Sequence, residues 1–214
     1  MSIPNPVFPA WSALAAKKVL RNLTARGFEA HFCATAEEAA AKTLELIPLT
    51  DMVSWGGSMT LGEIGIYQKL RDAGYTVIDR DTASSPDERM ALMRQGLTCG
   101  TFLTSVNAIS EDGVMVNIDG AGNRIAAMTF GPRQVVVIAG MNKLAPDAAG
   151  ARARARHTAS PINVARLGVE GTPCAAEGAC GDCKSGICTY ICETRQSRPV
   201  GRIKVILVGE TLGY

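Results

Sequence analysis

The sequence predicts an α/β fold built on a Rossmann-like, mostly parallel sheet, and three observations carry that prediction. Segments with helical apolar spacing alternate with short apolar runs along almost the whole chain. The short runs are strand-like, and Val135-Val136-Val137-Ile138 is continuous enough for a strand buried on both faces. Caps, prolines and glycines sit between the two kinds of segment. Strands separated by helices pair in parallel.

Each element follows in order. Residues 11–26 place Trp11, Leu14, Ala15, Val19 and Leu23 on one side of an amphipathic helix. Phe28 to Cys33 is a short strand. Thr35-x-x-Glu38 is a capping box, and Ala36, Ala39, Ala40, Thr43, Leu44 and Ile47 follow at helical spacing. Met52 to Trp55 is a strand broken by Gly56-Gly57. A helix is expected from Thr60 to about Ala73, with Thr60-x-x-Glu63 as a second capping box. Tyr75 to Ile78 is a strand. Ser85-Pro86-x-Glu88 opens a helix with proline at its first position. Thr101 to Thr104 is a buried strand. Glu111-Asp112-Gly113 is a hairpin turn between Ala108-Ile109 and Val114-Met115-Val116. The loop Asp119-Gly120-Ala121-Gly122 enters a helix from Asn123 to Phe130. Gln134 to Ala139 is the central strand. Helix fills roughly 146–157, a helical turn covers 161–167, and the last strand runs from Ile203 to Val208.

At 214 residues, with 47% hydrophobic and 20% charged side chains, residues 1–214 read as one α/β domain with a core that needs no staples. The opening Met1-Ser2-Ile3-Pro4-Asn5-Pro6 has neither a basic region nor an apolar run, so no signal peptide is expected and the default location is the cytoplasm. No run of about 18 apolar residues predicts membrane insertion. Residues 1–150 carry 13 basic and 15 acidic side chains, net −2, and residues 151–214 carry 9 and 5, net +4. That excess suits a segment holding thiolates or an acidic partner and is too small for a nucleic-acid surface. Arg152, Arg154 and Arg156 spread around a helix and read as solvated surface.

Five of the seven cysteines, Cys174, Cys180, Cys183, Cys188 and Cys192, crowd the C-terminal region. The residues between them are Gly-rich and poor in large apolar side chains, so 172–192 reads as a metal-binding loop. Thiolates suit iron–sulfur clusters and zinc. Cys174, Cys180, Cys183 and Cys188 offer an iron–sulfur set with a C-x2-C bite. Cys180, Cys183, Cys188 and Cys192 offer a zinc knuckle. Spacing leaves both open. Disulfides are disfavoured in a reducing compartment. Cys33 and Cys99 read as core.

Several motifs fail. Gly120-x-Gly122 precedes a helix, but the third small position is Ile125 and no acid lies about 20 residues on, so the dinucleotide fingerprint is broken. No phosphate loop ends in Gly-Lys-Ser/Thr, and Gly56-Gly57-Ser58-Met59-Thr60 lacks the final glycine of a nucleophile elbow. His31 and His157 are the only histidines, and neither lies beside a plausible nucleophile.

Two loops remain. The first, Trp55 to Glu63, joins a strand's C-terminal end to a helix, where open α/β sheets bind ligands. Gly56 and Gly57 let a ligand approach the backbone, and Ser58 and Thr60 offer hydroxyls to a small anion. Glu63 is a candidate acid, or a cap only. In the second, Asn117 to Arg124, Arg124 occupies a helix N-terminus that disfavours cations, so an anion, either Asp119 or a ligand, is expected beside it. Asp119 is the candidate general base and Arg124 the neutralising cation. Gly120 and Asn123 join that rim, as do Ser105 and Asn107 after the buried strand.

Together these segments resemble the LUD-domain family, named for lactate utilisation. The marks are Gly56-Gly57-Ser58-Met59-Thr60-Leu61-x-Glu63-Ile64-Gly65, Leu103-Thr104-Ser105-x-Asn107-Ala108-Ile109 and Asn117-x-Asp119-Gly120-x-Gly122-Asn123-Arg124. Gly131-Pro132, Asn142-Lys143, Thr172-Pro173-Cys174 through Cys188, and Gly201-Arg202-Ile203-Lys204-Val205 follow in order. The resemblance implies a fold similar to the sugar-phosphate isomerase and CoA-transferase superfamily. It implies oxidation of L-lactate to pyruvate beside an iron–sulfur partner subunit, and a 4Fe-4S cluster on Cys174, Cys180, Cys183 and Cys188. The expected ligand is a small anionic metabolite, lactate-like or a sugar phosphate. The stretch between Cys183 and Cys188 is shorter than in the family pattern and Cys192 is additional, which keeps zinc open, and with it a non-redox enzyme or sensor that binds a phosphorylated or carboxylated metabolite and holds structural zinc.

Overall fold

The computed structural model describes residues 7–184 and 186–214. The opening Met1–Pro6, read as carrying no signal peptide, lies outside the described residues. In chain order the strands are β1 Glu29–Cys33, β2 Val53–Trp55, β3 Val77–Ile78, β4 Thr101–Thr104, β5 Ala108–Ser110, β6 Met115–Asp119, β7 Gln134–Gly140, β8 Leu144–Ala145, β9 Tyr190–Thr194 and β10 Ile203–Val208. The helices are α1 Val7–Ala25, α2 Ala36–Leu46, α3 Met59–Glu63, α4 Ile66–Asp72, α5 Pro86–Gln95, α6 Asn123–Thr129, α7 Ala148–Arg154, α8 Ser160–Leu167 and α9 Pro173–Glu177.

Six strands form the expected parallel sheet, in the order β1-β10-β7-β4-β2-β3. β7 and β10 are adjacent interior strands and alternate between two cores. Val135, Val137, Val205 and Leu207 pack with Val19 and Leu23 of α1. Val136, Ile138, Ile206 and Val208 pack with Leu61, Ile66 and Leu70 on the other face. Burial on both faces is why the central sequence is continuously apolar. Each such Leu, Ile or Val contributes roughly 1.5–3 kcal/mol. Cys33 and Cys99 are buried, as expected, and burial pushes the Cys99 thiol up to about 11.

The sequence reading missed a second sheet, ordered β8-β5-β6-β9. The hairpin at Glu111–Gly113 is present and joins antiparallel β5 and β6. β8 adds parallel to β5, and β9 adds antiparallel to β6 with Cys192 opposite Asn117. The segment expected to be a loop at 172–192 therefore starts with the short helix α9 and ends in a strand.

Local chemistry corrects other expectations. The stretch 60–73 is two helices, because Gly65 adopts the left-handed conformation at φ +67 and interrupts the helical path between them. Its cap is Ser58, whose Oγ accepts from the Leu61 amide at 3.3 Å, not Thr60. On α1 the inward stripe is Ser12, Ala16, Val19 and Leu23, while Trp11 and Leu14 are exposed. The expected caps Thr35 and Ser85 are both in place, accepting from Glu38 and Glu88. The helix from 148 continues through a π turn at Ala155–Ala159 into α8. Arg154 on it is not solvated surface; it donates to the Asn107 and Asn142 carbonyls.

Candidate functional site

β2, β4 and β7 are parallel neighbours, so the residues that follow them emerge at one edge of the sheet. Gly56 to Ser58 follow β2, Ser105 follows β4, and Met141 to Lys143 follow β7 and cross to β8 of the second sheet. The end of β6 brings Asp119 and Gly120 against this edge. Between them lies a cavity of about 290 Å³. Its walls include Gly57, Ser58, Thr60, Ser105, Asn107, Asp119, Gly120, Asn123 and Arg124. The two loops picked out in the sequence thus face one space.

Two expected residues stand outside it. Gly56 backs onto the Arg124 side chain, where a Cβ would come within 3.3 Å of Cδ. Glu63 neither lines the cavity nor caps a helix; its Oε2 accepts from the Gly213 amide at 2.6 Å. That contact ties the chain after β10 across the sheet edge.

Arg124 and Asp119 are largely engaged with each other. Asp119 Oδ1 lies 2.7 Å from Arg124 Nη2, and both side chains are about a tenth exposed, 9% and 12%. Asp119 Oδ2 accepts from the Ile125 amide at 2.8 Å. Arg124 also donates to Asn107 Oδ1 at 2.9 Å and to the Ile118 carbonyl at 2.7 Å. The anion required beside the helix start is therefore Asp119. This pair splints the second sheet to the loop, and neither member presents an open set of polar atoms.

Two cations that the sequence reading did not select are differently placed. Arg80, in the short turn after β3, lines the cavity next to Gly57. Its Nη1 reaches only the Met93 sulfur at 3.4 Å, Asp81 lies 3.9 Å away, and its buried Nε has no hydrogen-bond partner among the described residues. Burial lowers the guanidinium from its usual range. Lys143 is 3% exposed. Its Nζ donates to Thr60 Oγ1 and Ser105 Oγ, each at 2.8 Å. Burial first, then the charges of Arg154 and Arg124, bring the amine down to about 7, against a small opposing pull from Glu63.

A LUD-domain family model matches residues 16–208. The chain belongs to the LUD-domain family. That family is associated with lactate utilisation. No curated protein matches the chain in sequence. A DUF162 family protein from Deinococcus radiodurans has a similar crystal structure, at 14% identity and a TM-score of 0.50, over 92% of this chain and 98% of that one. The likeness shows a shared fold. Ribose 5-phosphate isomerase A from Methanocaldococcus jannaschii matches at 14% identity and a TM-score of 0.35, over 53% of this chain and 55% of that one, too weakly to carry an argument.

The cysteines of this LUD domain form a second, smaller cavity of about 110 Å³. Cys174, Cys180, Cys183 and Cys188 all line it, with Arg156, Ser160 and Ile187; Cys192, held in β9, does not. Desolvation raises the Cys188 thiol, and the other three thiols of the cavity add to the rise, so the four lie within electrostatic reach. Arg156 Nη2 approaches Cys180 Sγ at 3.7 Å. Among the described residues no group of three or more His, Cys, Asp or Glu is gathered closely enough to hold a metal ion. In kind and number the four thiols fit a thiolate-ligated centre. Ser160 and Ile187 line both cavities, so the two share a wall.

Proposed function

We propose that this LUD domain is a lactate-utilisation component that binds a small carboxylate in the larger cavity and an iron–sulfur cluster at Cys174, Cys180, Cys183 and Cys188. The observation that carries the reading is that Arg80, a largely buried guanidinium whose Nε has no hydrogen-bond partner among the described residues, lines a cavity of about 290 Å³. That volume lies at the small end of ligand sites and suits a lactate- or pyruvate-sized anion better than a dinucleotide. Arg80 meets the carboxylate, and the Ser58 and Asn123 side chains line its approach. Lys143 stands at the wall as a group able to hold or release a proton near neutral pH. Arg124 and Asp119 act by position, fixing the loop.

A bound cluster would pass single electrons, and the shared wall of Ser160 and Ile187 brings it beside the metabolite. The thiol-lined cavity supports this ligand set over the zinc knuckle, which needs Cys192. An iron–sulfur partner subunit would complete the electron path.

Anaerobically purified protein tests both halves. Iron and sulfide with absorbance near about 400 nm are expected, whereas stoichiometric zinc in colourless protein sinks the cluster reading. Calorimetric titration should give saturable binding of L-lactate or pyruvate. Arg80→Gln should weaken it roughly tenfold to a hundredfold, the value of a charge-assisted hydrogen bond. Unchanged affinity in that variant would rule Arg80 out as the anchor.

A further inference from the structure

Lys143 is a buried amine with no counter-ion among the described residues. No ion pair of Lys143 occurs among the described residues, and its two partners are hydroxyls. A buried ammonium ordinarily has a carboxylate, because desolvating the charge alone is costly. A neutral amine has no such requirement. It has two N–H groups and one lone pair, and the hydroxyls of Thr60 and Ser105 accept two N–H groups. Thr60 is fixed as an acceptor, since its own hydrogen goes to the Leu212 carbonyl at 3.3 Å. The lone pair is then left unengaged on a side chain that lines the cavity. Charged groups on three packed elements act on it: Arg124 from α6 and Arg154 from α7 favour loss of its proton, and Glu63 from α3 opposes them weakly.

We propose that Lys143 is a nucleophile that forms an imine with a small carbonyl compound carrying an anionic group. The inference rests on the reading of the larger cavity as a metabolite site and names the chemistry of that site. The Nζ lone pair adds to the carbonyl carbon, and the carbonyl π electrons move to its oxygen. A proton passes from nitrogen to that oxygen, giving a carbinolamine. The remaining nitrogen proton then passes to that oxygen, the C–O bond breaks and water leaves with the bonding pair, and the nitrogen lone pair closes the C=N bond. Ser105 is placed for that proton relay. Its Oγ accepts from Lys143, and its own hydrogen has no acceptor among the described residues. No oxidant is required. The anionic group of the substrate meets Arg80. At pH 7 an amine near 7 is about half neutral, roughly a thousandfold more than an ordinary lysine near 10.5.

The test is reductive trapping on the full chain with cyanoborohydride and either pyruvate or dihydroxyacetone phosphate, read by intact mass and peptide mapping. One adduct on Lys143 is expected, with half-maximal formation near neutral pH. The compound that gives it distinguishes a carboxylate from a phosphate as the anionic group. Because mapping is done on the unaltered protein, the result does not depend on a Lys143 variant folding. An adduct scattered over exposed lysines overturns the proposal. So does no adduct from a compound that calorimetry shows to bind, and that outcome leaves the metabolite site standing. Neither binding nor adduct with either compound overturns both readings.

Discussion

The two cavities share a wall but are built in opposite ways. In the larger one most polar atoms already have partners. Asp119 holds Arg124, Arg124 holds Asn107, and Thr60 and Ser105 hold Lys143. Among the described residues, the buried donor left without a partner is the Nε of Arg80. In the smaller one, four thiols face a common space with weak partners: Arg156 at 3.7 Å from Cys180 and Thr172 at 3.4 Å from Cys174. A preformed network identifies its ligand by what remains unsatisfied. A set of bare thiols is completed by what binds, because metal affinity and local folding are coupled.

The sharpest way to break the comparison is at the thiols. Serine in place of Cys174, Cys180, Cys183 or Cys188 should abolish stoichiometric metal in each case, read by metal analysis of anaerobic protein. Cys192→Ser should keep it. The reverse pattern, with Cys174 dispensable and Cys192 essential, would restore the zinc knuckle and dissolve the link between metal and cavity.

The preformed side is tested by removing one partner. Asp119→Asn keeps the shape of the side chain and leaves the Arg124 charge uncompensated at 12% exposure. Loss of one member of a buried pair costs about 3–5 kcal/mol, so denaturant unfolding should show a drop of that size. A change under about 1 kcal/mol would mean that solvent supports Arg124 and that the loop is not splinted by this pair.

The same contrast explains what was legible in the sequence. The glycine-rich turn after β2 and Ser105 after β4 could be placed because each follows a recognisable strand, and a parallel sheet sends both to one edge. The capping chemistry at Thr60 was misread because Ser58 and Thr60 both fit a cap, and only burial tells them apart: Thr60 is fully buried and serves Lys143. Arg80 lies between Asp79 and Asp81, which reads as solvated charge alternation. Lys143 lies in a turn between the central strand and β8, a two-residue strand too short for any periodic signal. A single lysine in a turn carries no mark of burial. Its presence in the Asn142-Lys143 pair of the family resemblance was the one available hint. β9 was invisible for a related reason: its adjacent Tyr190 and Ile191 point to opposite faces yet are both half-exposed, so the strand carries no apolar alternation.

The smallest expected effect is the most diagnostic for Lys143. Its folded-state value near 7 lies below the ordinary lysine value near 10.5, so between those limits the unfolded chain binds more protons than the folded one. Stability from this group is fully present above about 10.5 and is lost as pH falls through about 7. Within the window the slope is about +1.4 kcal/mol per pH unit for one proton. Lys143→Met removes the titrating group while keeping an apolar stem of similar length. The difference in unfolding free energy between the two proteins, followed from pH 7 to 9, should therefore shift toward the unaltered chain by about 1.4 kcal/mol per unit. A flat difference would mean that Lys143 keeps its proton in the folded state, and its counter-ion would then have to be a bound anion. That result would move Lys143 from the chemistry of the cavity to the same anchoring role as Arg80.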